Sequence, residues 1–179
     1  MDWGTVIFVI VYVLAITFLL AGLSAAPWIP TRKKEREALA ALVSFKPGDT
    51  VYDLGCGDGA VLFDLARRFP EAKFVGFEVS LLPYALAQLR RLLAGRRGAN
   101  VRILLRDLYG QELRDAAAVF VFLLPKSYAR LQKKFAADLR PDCDVIVEAW
   151  PLAGIEPVRR VKEPGQISLF IYQGRQFRQ

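Results

Sequence analysis

The sequence predicts an α/β fold: a doubly wound, mostly parallel sheet, preceded by one apolar helix. Three observations carry this. From residue 50 onward, short runs rich in β-branched and aromatic residues alternate with amphipathic runs of helix length. One such run, Val51-Tyr52-Asp53-Leu54, ends in the turn Gly55-Cys56-Gly57-Asp58-Gly59, which opens a helix. The last two runs flank Glu163-Pro164-Gly165-Gln166, a turn that folds them back as an antiparallel hairpin.

The first element is apolar. From Trp3 to Pro30 no side chain is charged, and Val6 to Ala26 is apolar almost throughout. That is about the twenty residues a helix needs to cross a bilayer. Trp3 and Trp28 stand near its ends, where interfacial aromatics are expected. Asp2 alone precedes it, whereas Arg32, Lys33, Lys34 and Arg36 follow. This bias predicts a single-pass membrane protein with its N-terminus outside and the rest cytoplasmic, or matrix-facing in an organelle. The bilayer is then a partner of the helix. A cleaved signal peptide is the rival, with Ser24-Ala25-Ala26 as the cut. The segment before the apolar run lacks positive charge, the run is long, and Pro27 hinders cleavage, so a retained anchor is expected. Residues 1–30 read as anchor and connector, and 31–179 as one globular domain.

Within that domain, Pro27-Trp28-Ile29-Pro30 is a stiff connector, and Thr31 can cap a helix over Arg32 to Ser44. Lys46-Pro47-Gly48-Asp49 is a turn. Strands are predicted over Thr50–Leu54, Lys73–Val79, Val101–Arg106, Ala118–Leu124, Asp144–Glu148, Pro157–Lys162 and Ile167–Tyr172. Helices are predicted over Ala60–Phe69, Leu82–Ala94 and Lys126–Leu139. Gln111 to Ala117 has helix-like content but is too short to assign. The result is a Rossmann-like, seven-stranded arrangement.

Composition bounds the chemistry. The chain has 179 residues, a net charge of +7, two cysteines and no histidine. Histidine-based triads, general bases and metal sites are excluded, and no cysteine pattern suggests zinc, so no metal is expected. Positive charge without a basic patch interleaved with aromatics argues for membrane-side bias, and no nucleic-acid partner is expected. Cys56, inside the glycine turn, reads as packing rather than as a reactive thiol.

Ligands of such folds bind outside the carboxyl ends of the strands. The polar residues fall there: Asp53 to Gly59, Glu78, Asp107 and Glu148. Glu78 lies where a nucleotide-binding unit places its ribose-gripping carboxylate. A nucleoside-bearing cofactor is implied. The glycines run Gly55-x-Gly57-x-Gly59, unlike the nicotinamide fingerprint.

Asp53-Leu54-Gly55-Cys56-Gly57-Asp58-Gly59 resembles motif I of the class I S-adenosylmethionine-dependent methyltransferases, and the order of seven strands is similar. With the apolar segment, Pro27-Trp28-Ile29-Pro30-Thr31, Asp107-Leu108-Tyr109, Leu124-Pro125 and Trp150-Pro151, the chain is most similar to a narrower group. These are the membrane-anchored lysine methyltransferases that modify the ATP synthase c subunit and the adenine nucleotide carrier, with their prokaryotic relatives. The resemblance implies S-adenosylmethionine as cofactor. It implies that Gly55, Cys56, Gly57, Asp58 and Gly59 form the cofactor loop, and that Asp53 organises the loop and faces the cofactor's amino group. Glu78 would take the ribose hydroxyls, Asp107 the adenine amino group and Leu108 the ring, with Thr31 and its helix closing over the site. The plainer readings are a surface acid for Glu78, a turn cap for Asp107 and an N-cap for Thr31. Glu148 is the candidate proton acceptor, against a structural ion pair. Trp150 is a candidate apolar wall for the amine, against packing. The loop after strand four, Leu123-Leu124-Pro125-Lys126-Ser127-Tyr128, lacks the Asp/Asn-Pro-Pro-aromatic pattern of many amine methyltransferases, which argues against DNA-base and glutamine methylation. The expected function is a membrane-tethered methyltransferase that N-methylates a lysine of a membrane protein. The alternatives are a lipid head-group amine or membrane-soluble small molecule as acceptor, and a non-catalytic cofactor-binding module.

Overall fold

A computed structural model of the chain describes residues 2–24, 30–162 and 164–178, with 17–24 described through their backbone. The elements are α1 (Trp3–Ser24), α2 (Lys33–Leu42), β1 (Thr50–Leu54), α3 (Ala60–Arg68), β2 (Lys73–Glu78), α4 (Leu81–Ala94), β3 (Val101–Leu105), β4 (Ala116–Val121), α5 (Tyr128–Asp138), β5 (Asp144–Glu148), β6 (Arg159–Val161) and β7 (Leu169–Gln173). The strands form one sheet in the order β3-β2-β1-β4-β5-β7-β6. β1 to β5 are parallel, and β7 runs antiparallel between β5 and β6. The strand order reverses between β1 and β4, and a doubly wound fold opens its ligand crevice at that point.

Side-chain alternation along the strands divides the core in two. Val51, Phe74, Ala118, Phe120 and Ile146 pack with Leu39 of α2, with Leu62, Phe63 and Ala66 of α3, and with Ala87 of α4. Leu54, Phe77, Val119, Val121, Val145 and Val147 pack on the other face with Tyr128, Leu131 and Phe135 of α5. The same alternation puts Asp53, Glu78 and Glu148 on the α2–α3 face, at the carboxyl end of three strands.

Cys56 confirms its packing role and exposes a second small-residue requirement. A Cβ added at Gly76 would come within 2.5 Å of the Cys56 sulfur and 2.8 Å of Leu62 Cδ1. Gly76→Ala is therefore expected to destabilise the protein by about 1–3 kcal/mol through overpacking. A denaturant melt checks this, and a Cys56→Ala background should recover part of the loss.

Several boundaries differ from the sequence expectation. α2 begins at Lys33, and its N-cap residue, Arg32, makes no side-chain cap. Thr31 is not the cap: its hydroxyl is drawn to Glu148 instead. Gln111 to Ala117 forms no helix. Leu113 and Ala116 are buried in the α5-side core, and β4 starts at Ala116, two residues early. The hairpin is present as β6 and β7, with Glu163 of its turn outside the described residues.

The N-terminal expectation is corrected. Among the described residues no helix is long and apolar enough to cross a membrane, which overturns the single-pass assignment and its N-outside topology. α1, Trp3–Ser24, is apolar. The helix also lies against α4 of the sheet domain. The connector 27–29, Trp28 and residues 25–26 of the rival cleavage site lie outside the described residues.

Candidate active site

One pocket opens at the carboxyl ends of β1, β2, β4 and β5 on the α2–α3 face. It is lined by Thr31, Asp53, Gly55, Cys56, Gly57, Asp58, Glu78, Leu108 and Glu148 among the residues expected from sequence. Gly59, Asp107 and Trp150 do not line it.

The glycine turn is held from below. Gly55 N and Cys56 N both donate to the Phe77 carbonyl, at 2.9 and 3.0 Å, which pins the turn to the end of β2. Gly55, Gly57 and Gly59 have φ of +85°, +55° and +72°, a region that only glycine enters without strain. Gly59 is the N-cap of α3, and its role is the turn itself. Asp58 accepts from Ala60 N at 3.3 Å and pairs with Arg90 of α4 through Oδ2. It therefore closes the first turn of α3 and is neutralised from α4. Burial and neighbouring carboxylates push the Cys56 thiol up, which leaves it unreactive.

Glu78 is committed to backbone. Gly57 N donates to Oε2 at 3.0 Å, and Val79 N and Ser80 N donate to Oε1 at 2.8 and 2.7 Å. The carboxylate bridges the glycine turn and the start of α4. A carboxylate offers about four acceptor positions, so capacity for a further donor remains.

Asp53 and Glu148 lack this support. Burial pushes Asp53 up to about 8, with the charges of Glu148, Glu78 and Asp58 adding to the effect. Burial pushes Glu148 up to about 7, the Glu35 charge adds, and the Thr31 hydroxyl, donating to Oε2 at 3.4 Å, offsets part of it. Glu148 Oε1 is buried with no hydrogen-bond partner. Among the described residues neither acid has a Lys or Arg in ion-pair range. The pocket is thus short of positive charge, and a cationic ligand would relieve it.

Glu148 and Trp150 diverge at the end of β5. Ala149 between them has φ +78°, the one described non-glycine residue with positive φ, and Trp150 N bonds back to Glu148 O at 3.1 Å. This tight, strained turn leaves Glu148 buried at the pocket and Trp150 40% exposed. Asp107 is exposed, and its Oδ1 accepts from Tyr109 N at 3.1 Å, capping the 3-10 turn Leu108–Gly110. The plainer reading of Asp107 is thus realised in its contacts, while Leu108 beside it reaches the pocket. Sequence reasoning missed Arg106, Ser80 and Leu123 of the lining and, outside the lining, the buried Glu35 of α2. Spacing held part of the signal for the last: Glu35 and Leu39 stand four residues apart on one side of α2. Among the described residues no group of three metal-ligating side chains could hold a metal ion.

The ANTKMT methyltransferase domain family matches residues 53–159. The chain is 28% identical to a protein-lysine N-methyltransferase of Saccharolobus islandicus (strain REY15A), over 82% of this chain and 91% of that protein. It is 32% identical to the adenine nucleotide translocase lysine N-methyltransferase of Mus musculus, over 76% of this chain and 58% of that protein. Among solved structures, it is similar to an RNA methyltransferase from Salinibacter ruber in complex with S-adenosyl-L-homocysteine. The TM-score is 0.74 at 26% identity, covering 81% of this chain and 93% of that one.

Proposed function

The chain belongs to the ANTKMT methyltransferase domain family and is an S-adenosylmethionine-dependent methyltransferase, and we propose that its acceptor is the side-chain amine of a lysine in another protein. The observation that carries this reading is Glu148 Oε1, a carboxylate oxygen buried without a hydrogen-bond partner at the wall of an acid-lined pocket. An amine reaching that wall finds a partner for its positive charge and an acceptor for its proton. The lysine-directed relatives support the same acceptor class, and the translocase-directed relative favours a membrane protein as its bearer. Residues 31–179 are the catalytic domain.

The pocket fits the cofactor. Its surplus of carboxylates suits a ligand bearing a sulfonium and an ammonium, and the glycine turn leaves backbone bare beside it. Gly55, Cys56, Gly57 and Asp58 would flank the methionine part, with Gly59 shaping the turn. Asp53 would answer the amino group, and Glu78 would take a ribose hydroxyl with the capacity its backbone donors leave. Leu108 would pack on the adenine, with Asp107 at its rim. Thr31 would steady Glu148, and Trp150 would wall the acceptor's approach. S-adenosylmethionine supplies a methyl group already activated on sulfur, so the chain's work is positioning and electrostatics.

The test is incubation of the full chain with methyl-labelled cofactor, detergent-solubilised adenine nucleotide translocase and, separately, a total lipid extract. Label released as methyllysine on acid hydrolysis is the expected result. Label confined to the organic extract would transfer the assignment to a lipid amine.

A further inference from the structure

We propose that Glu35 and Glu148 together form the seat of the acceptor's ammonium, with Glu35 Oε2 and Glu148 Oε1 accepting its N–H groups and one of the two carboxylates taking the proton it must lose. This rests on the lysine reading above and assigns a role to Glu35, which the sequence did not single out.

The two acids come from opposite ends of the fold. Glu148 ends β5 on the floor of the pocket, and Glu35 sits in the first turn of α2, which lies across it. Leu39, one helical turn beyond Glu35 in α2, lines the pocket, as does Thr31 in the segment just before the helix, so the buried Glu35 lies on the pocket side of α2. Thr31 also ties α2 to Glu148 by its hydroxyl. Glu35 is 3% exposed and Glu148 7%, and each has one buried oxygen without a hydrogen-bond partner. Two carboxylates buried together without a cation destabilise the fold, and such an arrangement persists where a ligand completes it.

Two cations of the same segment are engaged elsewhere. Arg36 donates to Asp64 Oδ2 at 2.6 Å and to the Thr31 carbonyl at 2.5 Å, and Lys33 faces Glu37 at 3.6 Å. An ammonium has three donors, and the two orphaned oxygens satisfy two of them. Leu39, Ile146 and Leu169 line the same pocket and suit the four-carbon stem of a lysine. In the proton step one N–H bond breaks and one O–H bond forms. The pair then carries one proton, one negative charge is discharged with the ammonium's positive charge, and the nitrogen lone pair is free.

The experiment uses the full chain saturated with S-adenosyl-L-homocysteine and n-butylammonium as a lysine side-chain probe. Wild type is expected to bind the probe with a Kd on the order of 1–10 mM, and Glu35→Gln and Glu148→Gln each at least about 10-fold more weakly. Each Gln variant, relieved of a buried unpaired charge, is also expected to melt higher than wild type, which loss of a purely structural contact would not produce. Absence of probe binding to wild type, or equal binding by the variants, overturns the proposal. The two readings fail separately. Methyllysine formed by both variants at the wild-type rate removes the carboxylate seat alone. Probe binding lost in the variants, with label entering only lipid, removes the lysine acceptor and leaves the seat standing.

Discussion

Glu78→Ala is expected to abolish S-adenosylmethionine binding while leaving a folded protein. Three backbone donors, from Gly57, Val79 and Ser80, share this one carboxylate, which is 7% exposed. Alanine strands them together, and a buried donor without an acceptor costs about 1–3 kcal/mol. Water can reach part of the opened space, so the loss of stability should be nearer about 3 kcal/mol than the full sum. The larger effect falls on the ligand. The carboxylate bridges the glycine turn to the start of α4, so its loss frees the turn that shapes the pocket. A direct ribose contact would be lost as well. Cofactor affinity should fall at least about 100-fold by calorimetry, or more than about 2.7 kcal/mol. Glu78→Gln should fall between, because its amide oxygen can still accept while its NH2 group opposes the N–H donors. Affinity for Glu78→Ala within about 3-fold of wild type, under about 1 kcal/mol, would return Glu78 to a plain strand-end acid.

Glu78 also shows how far the sequence could be read. Its position followed from the spacing of a βαβ unit, and the structure puts it at the pocket. Its hydrogen-bond partners could not be foreseen, because they are backbone groups whose direction depends on the turn at Gly57 and on where α4 begins. The strands were legible because period-two alternation is local: Val51 and Asp53 face one way, Tyr52 and Leu54 the other. The resemblance to class I methyltransferases was legible for the same reason, since motif I is one continuous turn, and the family match bears it out. Glu35 was not legible. An acid among Lys33, Lys34, Arg36 and Glu37 looks like part of a solvated helix face, and only the packing of α2 over the pocket buries it. For Trp150 nothing in the sequence signals the turn at Ala149, which leaves it 40% exposed while Glu148 is buried at the pocket. The N-terminal helix was read from hydropathy, flanking tryptophans and charge bias, all of them blind to the contact of α1 with α4.

Asp53→Asn is expected to stabilise the ligand-free protein at pH 8 and to weaken cofactor binding at the same pH. The sign follows from the carboxyl's pKa, raised from 3.8 to about 8 by burial and by the charges of Glu148, Glu78 and Asp58. A folded state with a raised carboxyl pKa holds the proton more tightly than the unfolded chain. It is therefore favoured at low pH and loses stability as pH rises from the unfolded value to the folded one. Asparagine keeps the shape and cannot ionise, so it escapes that loss. The melting difference between variant and wild type should be small at pH 4, grow through pH 6, and level off near pH 8. Each tenfold difference in proton affinity between the folded and unfolded chain is worth about 1.4 kcal/mol. Relaxation will take up part of the whole, so a gain of roughly 2–4 kcal/mol at pH 8 is expected. For a domain of this size that is about 4–16 °C in Tm. A cationic ligand reverses the balance. It favours the ionised carboxylate and lowers its pKa, so binding by wild type should release a proton and tighten as pH rises toward 8. Asp53→Asn should lose that pH dependence and bind at least about 10-fold more weakly at pH 8, the gap narrowing toward pH 6. A variant that melts below wild type at pH 8 would mean Asp53 is held by interactions that outweigh its burial. One that melts higher yet binds equally would mean the buried charge does not serve the cofactor. The expected pairing, a more stable protein with a weaker site, is the behaviour of a carboxylate buried for its ligand rather than for the fold.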